Sequence, residues 1–171
     1  MKLRQTDTRE YNLTEELVFD VFSQTSFSEG KIEKKLVKEI RSSEYYIPKL
    51  DFVVEKKNTL IAHCMLSRFP LNQKHTNELL LLAPVCVSPD YQQQGVGKMM
   101  VTKAIGIATV MGFKGVIVEG DPNYYHRFGF KTSTEFGIYA SSKILPPSPR
   151  IYKFFTVFTL FIYFKGCYYN K

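Results

Sequence analysis

The sequence predicts a single domain of mixed α/β class. The chain has 171 residues, a length that suits one domain. Hydrophobic residues make up 44% and charged residues 23%, which are globular values and argue against a disordered chain. Local patterns predict the order strand, two helices, three strands, helix, strand, helix, strand. This order combines a hairpin with a crossover, as mixed α/β folds do.

The N-terminal part predicts one strand and two helices. Residues 2–6 alternate polar and apolar side chains and predict the first strand. The first helix is expected to begin near Asn12, because Asn12 and Thr14 offer capping side chains. Residues 31–42 predict a second, amphipathic helix. Its apolar spacing predicts three buried residues: Ile32, Leu36 and Ile40.

Three strands are predicted in the middle of the chain. Residues 51–55 and 59–69 form a hairpin signature around a turn at 56–58. Residues 78–87 are almost all apolar, which is typical of a strand buried on both faces. Pro84 cannot donate a ladder hydrogen bond, and it therefore marks a bulge, an edge or a place where this strand leaves its neighbour.

The C-terminal part alternates helices and strands. A long helix is predicted over residues 95–111, and Gly112 stands where a helix cap is expected. A strand at 114–119, a short helix at 122–128 and a strand from Phe130 follow.

The last segment, residues 151–171, is rich in aromatic residues that show no clear period. A strand through residues 152–161 and an irregular end both fit it. We therefore expect a domain over residues 1–150 followed by an atypical tail over 151–171.

Charge and cysteine usage narrow the function classes. The formal net charge is +7, which attracts anions. The lysine-rich segment 31–41 fits a solvated helix face, and no block of five uninterrupted basic residues is present, so nucleic acid is a disfavoured partner. Three cysteines and three histidines lie far apart, which predicts no metal site and a cytoplasmic protein. No apolar run is long enough to predict a spanning helix or a membrane partner.

The residues from Gln92 to Lys98 predict an anion-binding turn between a buried strand and a long helix. The first amides of a helix have no partner within it, and the helix dipole adds positive charge there. Gly95 and Gly97 lack the Cβ atoms that would block a phosphate, and Lys98 adds a charge at the rim. A pyrophosphate is the anion that fits such a turn. Met100 stands where a dinucleotide fingerprint needs glycine, so a dinucleotide site is disfavoured.

Two motifs resemble the GCN5-related N-acetyltransferase (GNAT) superfamily. The pattern Gln92-x-x-Gly95-x-Gly97 is similar to its [QR]-x-x-G-x-[GA] signature, and Tyr125-His-Arg-Phe-Gly-Phe130 resembles its Y-x-x-x-G-F element. The longer string 120–130 looks like a bacterial branch with a G-D-P-x-Y-Y-x-R-F-G-F segment. The resemblance covers about residues 1–140. It implies a mostly antiparallel, twisted sheet of six to seven strands with a splayed fourth and fifth pair, and about four flanking helices.

The resemblance also implies acetyl-CoA as co-substrate. Val85 and Val87 would offer main-chain groups to pantetheine, and the turn would hold the pyrophosphate. The implied cofactor-binding set is Val85, Val87, Gln92, Gln93, Gln94, Gly95, Val96, Gly97 and Lys98. Tyr125 matches the family's general acid, with Tyr124 beside it as the weaker alternative. Glu78, Glu119 and His63 are open as general bases, and none is singled out.

Two functions therefore compete. The first is an N-acetyltransferase that acts on a primary amine in a ternary complex. The second is a non-catalytic acyl-CoA binding protein with a degenerate acceptor site, because the segment after Arg150 departs from the family pattern. The acceptor is not indicated, and either a monomer or a homodimer fits.

Overall fold

The computed structural model describes residues 1–24, 29–70, 77–136 and 160–164. Its centre is a seven-stranded sheet in the order β1-β2-β3-β4-β5-β7-β6. The strands are β1 Lys2–Gln5, β2 Asp51–Lys56, β3 Thr59–Arg68, β4 Leu79–Val87, β5 Gly115–Glu119, β6 Lys131–Thr132 and β7 Leu160–Phe164. The helices are α1 Tyr11–Ser23, α2 Glu29–Arg41, α3 Val96–Val110 and α4 Pro122–Tyr125. The predicted fold class is confirmed.

The strand pairs are antiparallel apart from β4 and β5, which run parallel. The predicted hairpin joins β2 to β3 through a two-residue turn. Lys57 and Asn58 have φ of 50° and 61°, both in the left-handed region. Positive φ at both positions is the type I′ geometry that matches the twist of a hairpin.

Strand β4 is irregular at the predicted proline. Cys64 of β3 pairs with Val85 and Leu66 pairs with Leu82, so β4 has one more residue than β3 in this interval. The extra residue is a β-bulge at Ala83 and Pro84. A proline fits here because a bulge leaves a residue outside the ladder.

Helices cover both faces of the sheet. Leu80 and Leu82 pack with α3 in one apolar core, whereas Leu79 and Leu81 pack with α1 and α2 in a second. Side chains of a strand alternate between faces, so the apolar run of β4 reflects burial on both sides. No helix in the described ranges is long and apolar enough to cross a bilayer.

The expected capping of the first helix is wrong. Asp7 caps a short 3-10 turn that leads into α1, and its side chain accepts a hydrogen bond from the amide of Arg9. Asp7 and Glu10 form a capping box, so this turn already satisfies amides at the helix start. Asn12 is exposed inside the helix, and the buried Thr14 hydroxyl donates to the Tyr11 carbonyl.

The tail contributes a strand later than expected. The structure places β7 at Leu160–Phe164, between β5 and β6. The predicted strand at 152–161 overlaps it at its last two residues, and residues 152–159 lie outside the described part of the chain. Because β7 pairs with β5 and β6, residues 160–164 form part of the central sheet.

A buried polar network connects β2, β3 and the N-terminal helices. The fully buried carboxylate of Asp51 accepts hydrogen bonds from four side chains: Thr6 at 2.6 Å, Tyr46 at 2.9 Å, His63 at 2.9 Å and Arg41 at 3.1 Å. Burial alone would raise the pKa of Asp51. The His63 hydrogen bond, the Arg41 charge and the Thr6 hydroxyl outweigh burial and hold this pKa well below its usual range.

We predict that replacing Asp51 with alanine lowers the free energy of unfolding by about 3–5 kcal/mol, because the Arg41 side chain, 4% exposed, then keeps a buried charge without this partner. Urea unfolding followed by circular dichroism measures the loss. The low pKa of Asp51 stabilises the folded protein above about pH 4. This stabilisation is lost as the pH falls through the pKa of Asp51 in the folded state.

The control for this experiment is Arg9→Ala. Arg9 pairs with Asp7 at an exposed site, so its removal should barely move the unfolding midpoint. Equal midpoints for Asp51→Ala and Arg9→Ala would contradict a structural role for the network.

Candidate functional site

The site is built around the point where β4 and β5 separate. Their parallel ladder joins Leu79, Leu80 and Leu81 to Gly115, Val116 and Ile117 and ends there within the described strands. Strand β4 continues for six residues beyond Leu81, still paired with β3. The last part of β4 therefore has a ladder partner on one side and a gap on the other.

The alternation of the β3–β4 ladder sets which main-chain groups face this gap. The amide of Ser88 donates to the Ile61 carbonyl at 2.8 Å, so these two residues form a hydrogen-bonded pair. Hydrogen-bonded and non-hydrogen-bonded pairs alternate in an antiparallel ladder. The main-chain groups of Val87 and Val85 therefore point away from β3 and into the gap, where the sequence predicts pantetheine.

The anion-binding turn leads from the end of β4 into α3. Gly95 is the N-terminal cap residue of α3 with φ of 80°, and Gln93 also has a positive φ of 58°. The amide of Met99 makes the first helical bond, to the Gly95 carbonyl at 2.9 Å. The amides of Val96, Gly97 and Lys98 precede that bond and form the open end of the helix. A Cβ added at Gly95 would meet no atom within 4 Å, so this end is accessible.

Two glutamine side chains hold the turn in place. The side-chain amide of Gln92 donates to the Val87 carbonyl at 2.9 Å, and that of Gln94 donates to the Asp90 carbonyl at 2.8 Å. The Gln92 bond ties the turn to the end of β4 that faces the gap. Gln92 and Gln94 were both predicted to bind the cofactor, and in the structure their side chains bind main-chain carbonyls of the protein.

Gly97 lacks a side chain for a reason that the sequence did not indicate. A Cβ at Gly97 would collide with the hydroxyl of Tyr124 and would lie 3.7 Å from Cγ2 of Val87. The missing Cβ therefore makes room for a tyrosine as well as exposing backbone amides. Tyr124 of α4 is consequently packed against the first turn of α3, beside the anion-binding turn.

Tyr125 follows Tyr124 and packs beside it, near the end of β5. Its ring is buried, with a Cε2 atom 2.6 Å from the position of a Cβ at Gly120, directly after β5. It packs edge-on against Tyr124 and Phe130, with ring centroids 5.0 and 5.7 Å away. Burial raises the pKa of the Tyr125 phenol, and Tyr124, Cys64 and Glu33 raise it further. The phenol therefore carries its proton at neutral pH.

The three base candidates occupy different places. His63 is engaged by Asp51 in the buried network, and Glu78 pairs with Lys114 at 3.1 Å at the paired start of β4. Glu119 ends β5, beyond the last residue paired with β4, and burial raises its pKa to about 7. Of the three, the structure brings Glu119 to the gap.

The sequence pattern did not single out Glu33. Burial raises the pKa of its partly buried carboxyl to about 7, and the charges of Glu119 and Glu29 contribute to this rise. The lysines around Glu33 suggested a solvated helix face. Glu33 precedes Leu36 by three residues and Ile40 by seven, and this helical spacing places it on the buried side of α2. Within the described ranges, no three His, Cys, Asp or Glu side chains are grouped to hold a metal ion.

We predict that Gly97→Ala destabilises the protein by about 1–3 kcal/mol, because the new Cβ overlaps the Tyr124 hydroxyl. The same substitution in a Tyr124→Phe background should cost much less, since the next ring atom, Cζ, lies 3.6 Å away. A double-mutant cycle by urea unfolding measures this coupling. Additive effects of the two substitutions would show that the Gly97–Tyr124 contact is absent.

Comparison with known proteins identifies the family. Residues 49–132 match the model of the acetyltransferase (GNAT) domain. The uncharacterised N-acetyltransferase YjhQ of Escherichia coli K12 is 30% identical over 100 residues, which are 58% of this chain and 55% of YjhQ. YhbS of the same strain is 27% identical over 112 residues, which are 66% of this chain and 65% of YhbS. The chain thus spans between about half and two thirds of these curated relatives.

Two solved structures share the fold. A GNAT family acetyltransferase from Brucella melitensis, in complex with acetyl-CoA, superposes with a TM-score of 0.70 at 24% identity, over 76% of this chain and 82% of that one. YhbS from Escherichia coli, in complex with CoA, also has a TM-score of 0.70, at 20% identity over 93% of this chain and 79% of that one. The resemblance seen in the two motifs is confirmed over residues 49–132, which form an acetyltransferase (GNAT) domain.

Proposed function

We propose that this protein is an N-acetyltransferase that transfers the acetyl group of acetyl-CoA to a primary amine. One observation carries the proposal: the gap between β4 and β5 has the open end of α3 at one side and the buried ring of Tyr125 beside Gly120, directly after β5. The B. melitensis and YhbS structures, which contain acetyl-CoA and CoA, share this fold and support the same ligand here.

The gap fits the two chemically different parts of CoA. The pyrophosphate is an anion, and the amides of Val96, Gly97 and Lys98 meet it with hydrogen bonds and helix dipole. The pantetheine arm contains amides. The main-chain groups of Val85 and the amide of Val87, whose carbonyl accepts from Gln92, pair with it as a neighbouring strand would. Gln93 and Lys98 lie at the rim of the turn, where both are exposed.

The reaction is direct transfer between two bound substrates. The neutral amine nitrogen attacks the thioester carbonyl carbon, a C–N bond forms, and the C–S bond breaks. The departing thiolate takes the phenolic proton of Tyr125. The nitrogen loses one proton, which restores Tyr125 through solvent, so the products are an amide and the CoA thiol.

The buried thiols fit the proposed cytoplasmic setting. Cys64 and Cys86 are free cysteines, and burial raises the pKa of Cys64 and raises that of Cys86 to about 12. Such thiols are largely protonated and unreactive at neutral pH.

We predict that Tyr125→Phe lowers kcat by about 10²–10⁴-fold, because the thiolate loses its proton donor, while the Kd for acetyl-CoA changes little. The assay measures CoA thiol release with a panel of primary amines, and titration calorimetry measures binding.

Tyr124→Phe is the matched control, since it removes the neighbouring hydroxyl and keeps the ring. Its kcat should fall far less. A large loss in Tyr124→Phe with none in Tyr125→Phe would assign the donor to Tyr124. Acetyl-CoA binding without turnover of any amine would favour the non-catalytic acyl-CoA binding protein.

A further inference from the structure

Helix α2 presents one carboxylate to the sheet among residues that are otherwise apolar. At 3.6 residues per turn, Glu33 lies within about 60° of the three buried residues Leu36, Val37 and Ile40 around the helix axis. The lysines of this helix lie about 100–160° away from Glu33, outside the face that packs on the sheet. They are Lys31, Lys34, Lys35 and Lys38. Glu33 therefore faces the sheet, and these lysines do not.

The sheet presents a second carboxylate on the same face. Ile117 of β5 packs in the core that contains Leu36, Val37 and Ile40 of α2. Because strand side chains alternate, Glu119, two residues further on, projects toward the same side. It also lies beyond the last β5 residue that pairs with β4, so it borders the gap.

Glu33 interacts electrostatically with residues on strands that border this gap. Its charge raises the pKa of Cys86, on the separated part of β4, and that of Tyr125. Burial raises the pKa of Glu33 itself, and the charges of Glu119 and then Glu29 raise it further. Glu33 thus lies within electrostatic range of β4, β5 and the candidate proton donor together.

We propose that Glu33, assisted by Glu119, binds the acceptor as an alkylammonium ion and accepts its proton. This inference rests on the proposed acetyl transfer and adds the acceptor class: an aliphatic primary amine, which is a cation at neutral pH. The ammonium gives one proton to the Glu33 carboxylate, which passes it to water. The neutral nitrogen then attacks the thioester as described above.

The two faces of the sheet are thereby matched to two ligands of opposite charge. The open end of α3 attracts the anionic pyrophosphate, and the carboxylates of Glu33 and Glu119 attract a cation. A carboxyl whose pKa is near 7 is suited to accept a proton at neutral pH. Amines that are uncharged at neutral pH, including aromatic amines, have no charge attraction to Glu33 and Glu119.

The test is ligand-observed NMR of butylamine binding to the CoA-saturated protein, with butanol as the uncharged probe. Wild type should bind butylamine and not butanol, and its affinity should rise between pH 6 and pH 8 as Glu33 ionises. Glu33→Gln should lower the butylamine affinity at least tenfold and leave CoA binding unchanged. Glu39→Gln is the matched control, since it removes the same charge from another face of α2 and should change neither affinity.

Thermal unfolding separates this role from a structural one. The folded pKa of Glu33 is raised, so ionisation destabilises the folded protein as the pH rises from about 4.3 through about 7. Glu33→Gln should therefore raise Tm above pH 7, whereas a structural carboxylate predicts a fall. Unchanged butylamine affinity in Glu33→Gln, or equal binding of butanol by wild type, would overturn the inference. Failure of wild type to bind CoA would instead contradict the proposed function.

Discussion

The separation of β4 from β5 after three paired residues is the constraint on which the rest of the site depends. Strand β4 keeps its pairing with β3, through a bulge at Pro84, while β5 takes β7 as its other partner. Backbone amides and carbonyls need hydrogen-bonding partners, so a strand edge that opens into the interior calls for a ligand or another chain segment. A pantetheine arm supplies such groups. We therefore propose this gap as the binding site of the pantetheine arm, because that arm would complete the hydrogen bonding of the β4 backbone.

The surroundings of the gap divide its chemistry. On the α3 side lie the open helix end and the two tyrosines, packed closely because Gly97 and Gly120 have no side chains. On the α2 side lie Glu33 and Glu119, which burial makes poorer acids than exposed carboxyls. In the proposed mechanism, the first side binds the anionic pyrophosphate and supplies the proton donor, and the second side binds the cationic acceptor and supplies the proton acceptors. Acetyl transfer from CoA to an amine uses both.

The sequence predicted those features that short segments determine. The hairpin between β2 and β3, the apolar run of β4 and the glycine at the start of α3 are local, and all three are found in the structure. Asn12 and Thr14 failed as caps because Asp7, a few residues earlier, forms a capping box with Glu10. The sequence signal for Asp7 was present, as an acidic residue three positions before a glutamate.

Features that need tertiary packing were not predictable in this way. The contact between Gly97 and Tyr124 joins residues 27 positions apart, and no pattern links them. Glu33 was assigned to a charged surface because its neighbours in sequence are lysines, although its helical phase follows Leu36 and Ile40. His63 seemed a possible base until the structure placed it in the Asp51 network. The surroundings of each of these residues are set by helices and strands that lie far from it in the sequence.

The central claim is that the turn before α3 holds the pyrophosphate of acetyl-CoA, and calorimetric titration with acetyl-CoA tests it most directly. Gly95→Glu and Gly95→Ala both place a side chain on a residue with φ of 80°, so both carry the same backbone strain. Gly95→Ala is the control for this strain, because its Cβ would meet no atom within 4 Å. The glutamate adds bulk and negative charge at the helix end. The account predicts binding by wild type and Gly95→Ala and a loss of at least tenfold in Gly95→Glu. Equal affinities of the two variants, or no binding by the folded wild type, would contradict it.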